Sequence, residues 1–299
     1  MIKARHVANM AVSGLALFTL AGCIATTAAT TGAAPKATIP AETAGPWPVT
    51  RLHYTPNGNF GPSGQYLPGA DGFNLADVDN KIQLDGLPAG VLGLVWLGDC
   101  GGATASFRST VDAFAGDRKL FGFYVKDEPQ PKNCPAANLL AEDNWIHAHV
   151  PGAKTFIILE NLGHETAPSF TGTYTPADSG LDLVGVDPYS VRSELSAPTY
   201  WQIAAYVTLV EAHGWPLSSI VPVYQTFGGT SFADDSNGYW VLPTVPQERQ
   251  MLADWAAVDP HPVFDYAYSW GPQEGDTALS QSPALQAVFK EKNARPPGP

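Results

Sequence analysis

The sequence predicts an α/β fold, a single-domain (β/α)8 barrel, and three observations carry that prediction. From about residue 70 onward, short apolar runs alternate with longer amphipathic segments. Several of the short runs are apolar almost throughout, as strands of a parallel sheet are when helices cover both faces. Counted from residue 49, there are eight of them, the number that closes a barrel. A doubly wound open sheet is the alternative, although no glycine-rich dinucleotide loop follows any of the runs.

The expected strands are VTRLHYT (49–55), GFNLADV (72–78), GVLGLVWLGD (90–99), LFGFYVKDE (120–128), TFIILEN (155–161), LDLVGVDPY (181–189), SIVPVYQTF (219–227) and FDYAYSW (264–270). The expected helices are ASFRSTVDAFAG, AANLLAEDNWIHAHV, APTYWQIAAYVTLVEAHG, TVPQERQMLADWAAV and SPALQAVFKEKNA. Their ends are marked. Gly116 and Gly214 stand where a left-handed C-terminal residue belongs, Ser282-Pro283 reads as N-cap then first helical residue, and Thr244 with Gln247 has capping-box spacing.

The chain begins differently. Lys3 and Arg5 precede an apolar run too short to span a membrane, and Leu20-Ala21-Gly22-Cys23 follows. That tetrapeptide resembles a bacterial lipobox, which implies a leader over 1–22, a lipid on Cys23 and an exported protein anchored at the extracytoplasmic face of the membrane. An ordinary cleaved secretory signal is the alternative. Residues 23–46 are rich in Ala, Thr and Pro without periodicity and read as a tether, leaving the barrel to 47–299. Loss of residues 1–22 would move the net charge from −12 to −14, because Lys3 and Arg5 leave. So acidic a surface argues against nucleic acid, which needs a basic footprint. A monomer is expected.

In a barrel, every strand points its C-terminal end at one mouth, where sites form. The strand ends here carry Asp77, Asp99, Asp127 with Glu128, Glu160 with Asn161, Asp187 with Tyr189, Gln225 and Trp270. Period-two parity puts Phe121, Phe123 and Val125 on the helix side, and Gly122, Tyr124, Lys126 and Glu128 inside. The same parity sets Gly185 below Asp187, so Glu128 and Asp187 rise from one floor. Asp127 can turn inward where the strand breaks at Pro129.

The segment Lys126-Asp127-Glu128-Pro129 resembles the Asn-Glu-Pro signature that ends the fourth strand in the large barrel clan of retaining glycoside hydrolases. The resemblance implies that Glu128 is the acid/base and that Asp127, in the place of the asparagine, binds the sugar. It also implies a glutamate nucleophile at the end of strand seven, where this chain has Gln225, and an amide cannot be that nucleophile. Three readings follow: the partner of Glu128 is Asp187 or Glu160, the enzyme inverts with a more distant base, or the barrel binds glycans without turnover. Lys126, if close, would lower the pKa of Glu128, whereas Asp127 would raise it.

Aromatic rings stack on the C–H faces of sugars. Trp270, Trp240 beside Tyr239, and Tyr54, Phe60 and Tyr66 are therefore candidate platforms, and each is equally a packing residue. With Cys23 lipidated, Cys100 and Cys134 remain, both just beyond neighbouring strands, and a disulfide between them is expected in an oxidising compartment; buried free thiols are the alternative. His147 and His149 sit at a helix end and suit a cap or surface role better than a metal. His164-Glu165 is not a metal motif, ADVDNK lacks the spacing of a calcium loop, and zinc-protease, serine-hydrolase and nucleotide-binding motifs are absent. No metal or cofactor is expected. A carbohydrate ligand is.

Overall fold

The structure is a computed structural model that describes residues 47–164, 166–229 and 238–295. The leader, Cys23 and the tether lie outside them, as do Glu165 and most of the loop before Tyr239.

Eight parallel strands close into a barrel in sequence order: β1 (His53–Thr55), β2 (Leu75–Val78), β3 (Leu92–Trp96), β4 (Leu120–Lys126), β5 (Lys154–Ile158), β6 (Leu183–Val186), β7 (Ile220–Gln225) and β8 (Asp265–Tyr268). Each of the eight apolar runs supplies one strand. β1 is only three residues long, yet it pairs with both β2 and β8 and so closes the ring. The open-sheet alternative is excluded.

Five of the helices fall on the expected amphipathic segments: α2 (Ala105–Asp112), α3 (Ala136–His149), α5 (Trp201–Ala212), α6 (Val245–Val258) and α7 (Pro283–Asn293). The Thr244/Gln247 capping box forms at α6, and Gly116 and Gly214 have φ of 75° and 102°. Ser282 occupies the N-cap of α7 without a side-chain capping bond. Two short helices were not foreseen. α1 (Lys81–Gly86) is capped by Asn80, whose side chain accepts from the Gln83 N–H, and α4 (Pro176–Ser179) by a Thr175/Asp178 box. Both are too short for a helical period to show in the sequence.

Aromatic side chains fill the barrel interior. The Phe264 ring meets those of Tyr54, Phe121 and Phe156, with centroids 6.2, 5.7 and 5.1 Å apart. Above them Tyr124 meets Phe156 and Trp96, both at 4.8 Å. Helices seal the outer surface of the strands against a second core that includes Phe123, Val125, Ile157, Leu252 and Phe289. Tyrosines thus carry polar tips upward from a packed floor.

Strand β4 departs from simple alternation at two places. Gly93 and Leu94 pair with Leu120 and Gly122, so Phe121 is an extra residue, and its ring turns inward onto Phe264. A Cβ on Gly122 would lie 2.1 Å from the Lys154 carbonyl oxygen, so this glycine is required by the approach of β5 rather than by the interior. Tyr124 and Lys126 then pair with the consecutive residues Phe156 and Ile157. Lys126 follows Ile157 to the helix side, and its Nζ donates to the Gly98 carbonyl at 2.8 Å. Phe121 and Lys126 therefore reverse the orientation that parity assigned them. Strand β6 obeys it: a Cβ on Gly185 would strike Ile158 and Phe156, both interior.

Candidate active site

The second shift in β4 decides how the Asp127-Glu128 pair is presented. The strand ends at Lys126, and Asp127 returns inward, where its carboxylate accepts a hydrogen bond from the Tyr124 hydroxyl. Glu128 follows with φ of 40°, in the left-handed region that non-glycine residues seldom occupy. Backbone strain of this kind costs about 1–3 kcal/mol and persists where surrounding contacts over-determine it, often at working sites. Pro129, buried directly behind, prevents continuation of the ladder.

Glu128 is half-buried, and its pKa is pushed up to about 8, first by desolvation and then by the negative charges of Asp127 and Glu160. Asp187, at the end of β6, is also raised, by burial and then by Glu128 and Asp127, against an opposing hydrogen bond from Tyr189. The charge of Glu128 thus acts on Asp187 at the mouth and disfavours its ionisation. Lys126 is not among the charges that act on Glu128, because its ammonium has gone to the Gly98 carbonyl.

Glu160 stands at the same mouth. Its Oε1 accepts from the Gln130 amide at 2.9 Å, and its Oε2 is buried with no partner. Tyr189 donates to Asp187 and belongs to an aromatic wall: its ring lies 4.9 Å from Phe227, 6.0 Å from Trp240 and 6.0 Å from Tyr268. The structure thus brings Asp127, Glu128, Glu160, Asp187, Tyr189 and Trp240 to one opening.

Four other strand-end residues point elsewhere. Asp99 folds its Oδ1 back onto the Cys100 and Gly101 N–H groups, both at 2.7 Å, and shapes its own loop. Asn161 accepts from the Gly163 and Ser169 N–H groups and donates to the Tyr206 hydroxyl, bracing the loop after β5. Gln225 is fully buried. Its Oε1 accepts from the Val191 N–H at 2.9 Å, and its Nε2 donates to the Val191 carbonyl at 2.9 Å and the Val241 carbonyl at 3.0 Å. That amide ties the loop after β6 to the loop after β7, and it does not face a ligand. Trp270 is 7% exposed and packs edge-on to Phe73 in the helix-side core. β8 ends at Tyr268, so its parity does not extend to residue 270.

Tyr268 is the aromatic that β8 actually sends to the mouth, and Tyr124 is the donor that holds Asp127. Sequence reasoning passed over both as site residues. A signal existed for Tyr268, since Phe264, Tyr266 and Tyr268 share one parity. None existed for Gln130, whose role depends on a neighbouring strand. Of the rim candidates, Phe60 and Tyr66 pack on each other at 6.0 Å, and Tyr54 is buried in the floor with its hydroxyl on Asp77.

Cys100 and Cys134 form the expected disulfide, with Cα atoms 5.5 Å apart, linking the loops after β3 and β4. His147 binds Asp182 and Asp143, and His149 stacks on Trp145, both on the outer surface of α3. Among the described residues, no three His, Cys, Asp or Glu side chains are grouped to hold a metal ion, and no helix is long and apolar enough to cross a membrane.

No protein-family model matches the chain, and no curated protein does. Solved structures match by shape. Catalytic domain 2 of the Group II chitinase of Ostrinia furnacalis is 11% identical, with a TM-score of 0.50 over 84% of this chain and 97% of that one. A GH18 chitinase of Cycas revoluta, crystallised with (GlcNAc)3, is 11% identical, with a TM-score of 0.50 over 76% of this chain and 93% of that one. At these identities the likeness is one of fold, the closed eight-stranded parallel barrel.

Proposed function

We propose that this chain hydrolyses glycosidic bonds, with Glu128 as the proton donor and Asp187 as the carboxylate that acts at the anomeric centre. The observation that carries the reading is the state of Glu128, a carboxyl pushed up to about 8 at the C-terminal mouth of a glycosidase-like barrel. Acetal cleavage needs a group that is still protonated near neutral pH to give its proton to the leaving oxygen, and a second that is ionised to stabilise or attack the oxocarbenium-like centre. Burial and the charge of Asp127 hold the Asp187 carboxyl up; while Glu128 keeps its proton, the third raising influence is lifted, and the Tyr189 hydrogen bond favours the anion. Asp127, held by Tyr124, and Glu160, held by Gln130, flank Glu128 and keep its pKa high.

The test is release of reducing ends from a panel of cell-envelope polysaccharides by the native protein and by Glu128→Gln. Release by the native protein that falls about a hundredfold or more in the variant supports the assignment. Binding without release, unchanged by the substitution, overturns it in favour of a glycan-binding barrel that has lost turnover. That second reading draws on Gln225, which occupies the place where the retaining clan has its nucleophile and serves here as a brace.

We further propose that Cys23 carries a lipid and that residues 23–46 tether the barrel to the extracytoplasmic face of the membrane. Cys23→Ser should move the protein from the membrane fraction to the soluble one. Retention of the variant in the membrane would remove the anchor.

A further inference from the structure

We infer that the mouth is built for a cationic glycan, one whose sugars carry free, protonated amines, such as a deacetylated amino-sugar chain. This rests on the mouth being the ligand site, as proposed above, but not on turnover.

The charge arrangement is one-sided. Glu128, Glu160 and Asp187 converge on the opening, and among the described residues no salt bridge neutralises any of the three. Their identified hydrogen-bond donors are neutral: the Gln130 amide on Glu160 and the Tyr189 hydroxyl on Asp187. Two cations on neighbouring elements are engaged with other groups. Lys126 donates to the Gly98 carbonyl on the helix side. Arg192, its side chain 1% exposed, is paired with Glu194 and lies 5.4 Å from the centroid of the Trp240 ring. A uronic or sialic acid would add its negative charge to an opening that already holds Asp127, Glu128, Glu160 and Asp187, with Lys126 and Arg192 engaged with other groups. A neutral sugar would offer hydroxyls but nothing that offsets the carboxylates.

A second feature points the same way. The rings of Tyr189, Tyr268 and Trp240, backed by the fully buried Phe227, cluster beside Asp187. Aromatic faces attract cations, most strongly where water is excluded, and recognition of ammonium groups commonly combines such rings with a carboxylate. The buried, unpartnered Oε2 of Glu160 supplies a further acceptor next to Glu128. In the free protein, burial first and then the charges of Asp127 and Glu160 favour a proton on Glu128. An ammonium would take the place of that proton and drive it off.

The measurement is isothermal titration of the full-length protein with matched oligomers of glucosamine, N-acetylglucosamine and galacturonate, at mildly acid pH, in two buffers of different ionisation enthalpy. We expect the glucosamine oligomer to bind at least about tenfold more tightly than the N-acetylated one, with heats that reveal proton release and a preference that shrinks in high salt. Asp187→Asn should shrink the ratio of the two affinities, glucosamine oligomer over N-acetylated oligomer, to within about twofold, whatever it does to either affinity alone. Equal affinities, a preference for the N-acetylated or anionic oligomer, or no binding of the glucosamine oligomer would each overturn the inference. Reducing-end release, measured separately, reports on turnover, so failure of the hydrolase reading and failure of the cationic preference remain distinct.

Discussion

Replacing Gln225 by glutamate places a carboxylate at the position where the retaining glycosidase clan has its nucleophile, and the structure predicts loss of stability without gain of activity. The native Nε2 donates to two carbonyls, those of Val191 and Val241, and Oε1 accepts from the Val191 N–H. A glutamate can keep the last contact, but its other oxygen would then face two carbonyl oxygens with no proton to offer unless the group stays neutral. Holding a carboxyl of ordinary pKa ~4.3 protonated at pH 7 costs about 3.7 kcal/mol. The carbonyl still left unpaired adds about 1–3 kcal/mol. The Val191 carbonyl also accepts from the Val241 N–H at 3.0 Å, so Val241 is the one left short. The folded-state pKa is raised, so the protonation penalty is present above the unfolded pKa and disappears as pH falls toward it. Urea unfolding of Gln225→Glu should therefore show a destabilisation that shrinks by roughly 2.6 kcal/mol between pH 7 and pH 5. Gln225→Ala, which leaves the Val191 N–H and Val241 carbonyl without this partner and opens a cavity, should lose about 3–6 kcal/mol at both pH values. A Gln225→Glu protein as stable as the parent, or one that hydrolyses glycans faster than the parent, would refute the assignment of Gln225 as a loop brace.

Three further outcomes are expected. Hydrolysis should fall as pH rises through about 8, where Glu128 loses its proton, and because ionising a group of raised pKa disfavours the folded state, the parent should also lose stability from acid pH toward pH 8; a pH–stability curve unaltered in Glu128→Gln would contradict this. Reducing the Cys100–Cys134 disulfide, whose sequence separation is 34, should lower unfolding free energy by about 4 kcal/mol, with a change below about 1 kcal/mol in denaturant melts counting against a role for it. Gly122→Ala should destabilise by about 3 kcal/mol or more, because its Cβ would lie 2.1 Å from the Lys154 carbonyl oxygen and backbone on both strands must move; an unchanged melting temperature would show that the shifted register of β4 is not fixed there.

Much of the molecule follows from pattern alone. Eight apolar runs, spaced by helices with capping signals, determine the strand count and the parallel order, and the order determines that Glu128, Glu160 and Asp187, far apart in sequence, end at the same mouth. Those consequences are local rules repeated eight times, so the chain itself contains them. Which strand-end side chain looks into the opening is another matter. At β4 two register shifts send Phe121 inward and Lys126 outward, and no residue in FGFYVK announces them, because a shift arises from how neighbouring strands fit. Asn161 and Gln225 are amides at strand ends, chemically suited to a sugar hydroxyl and equally suited to a loop carbonyl. Only the folded neighbours, which leave buried backbone groups that must be hydrogen-bonded, decide that both serve the loops.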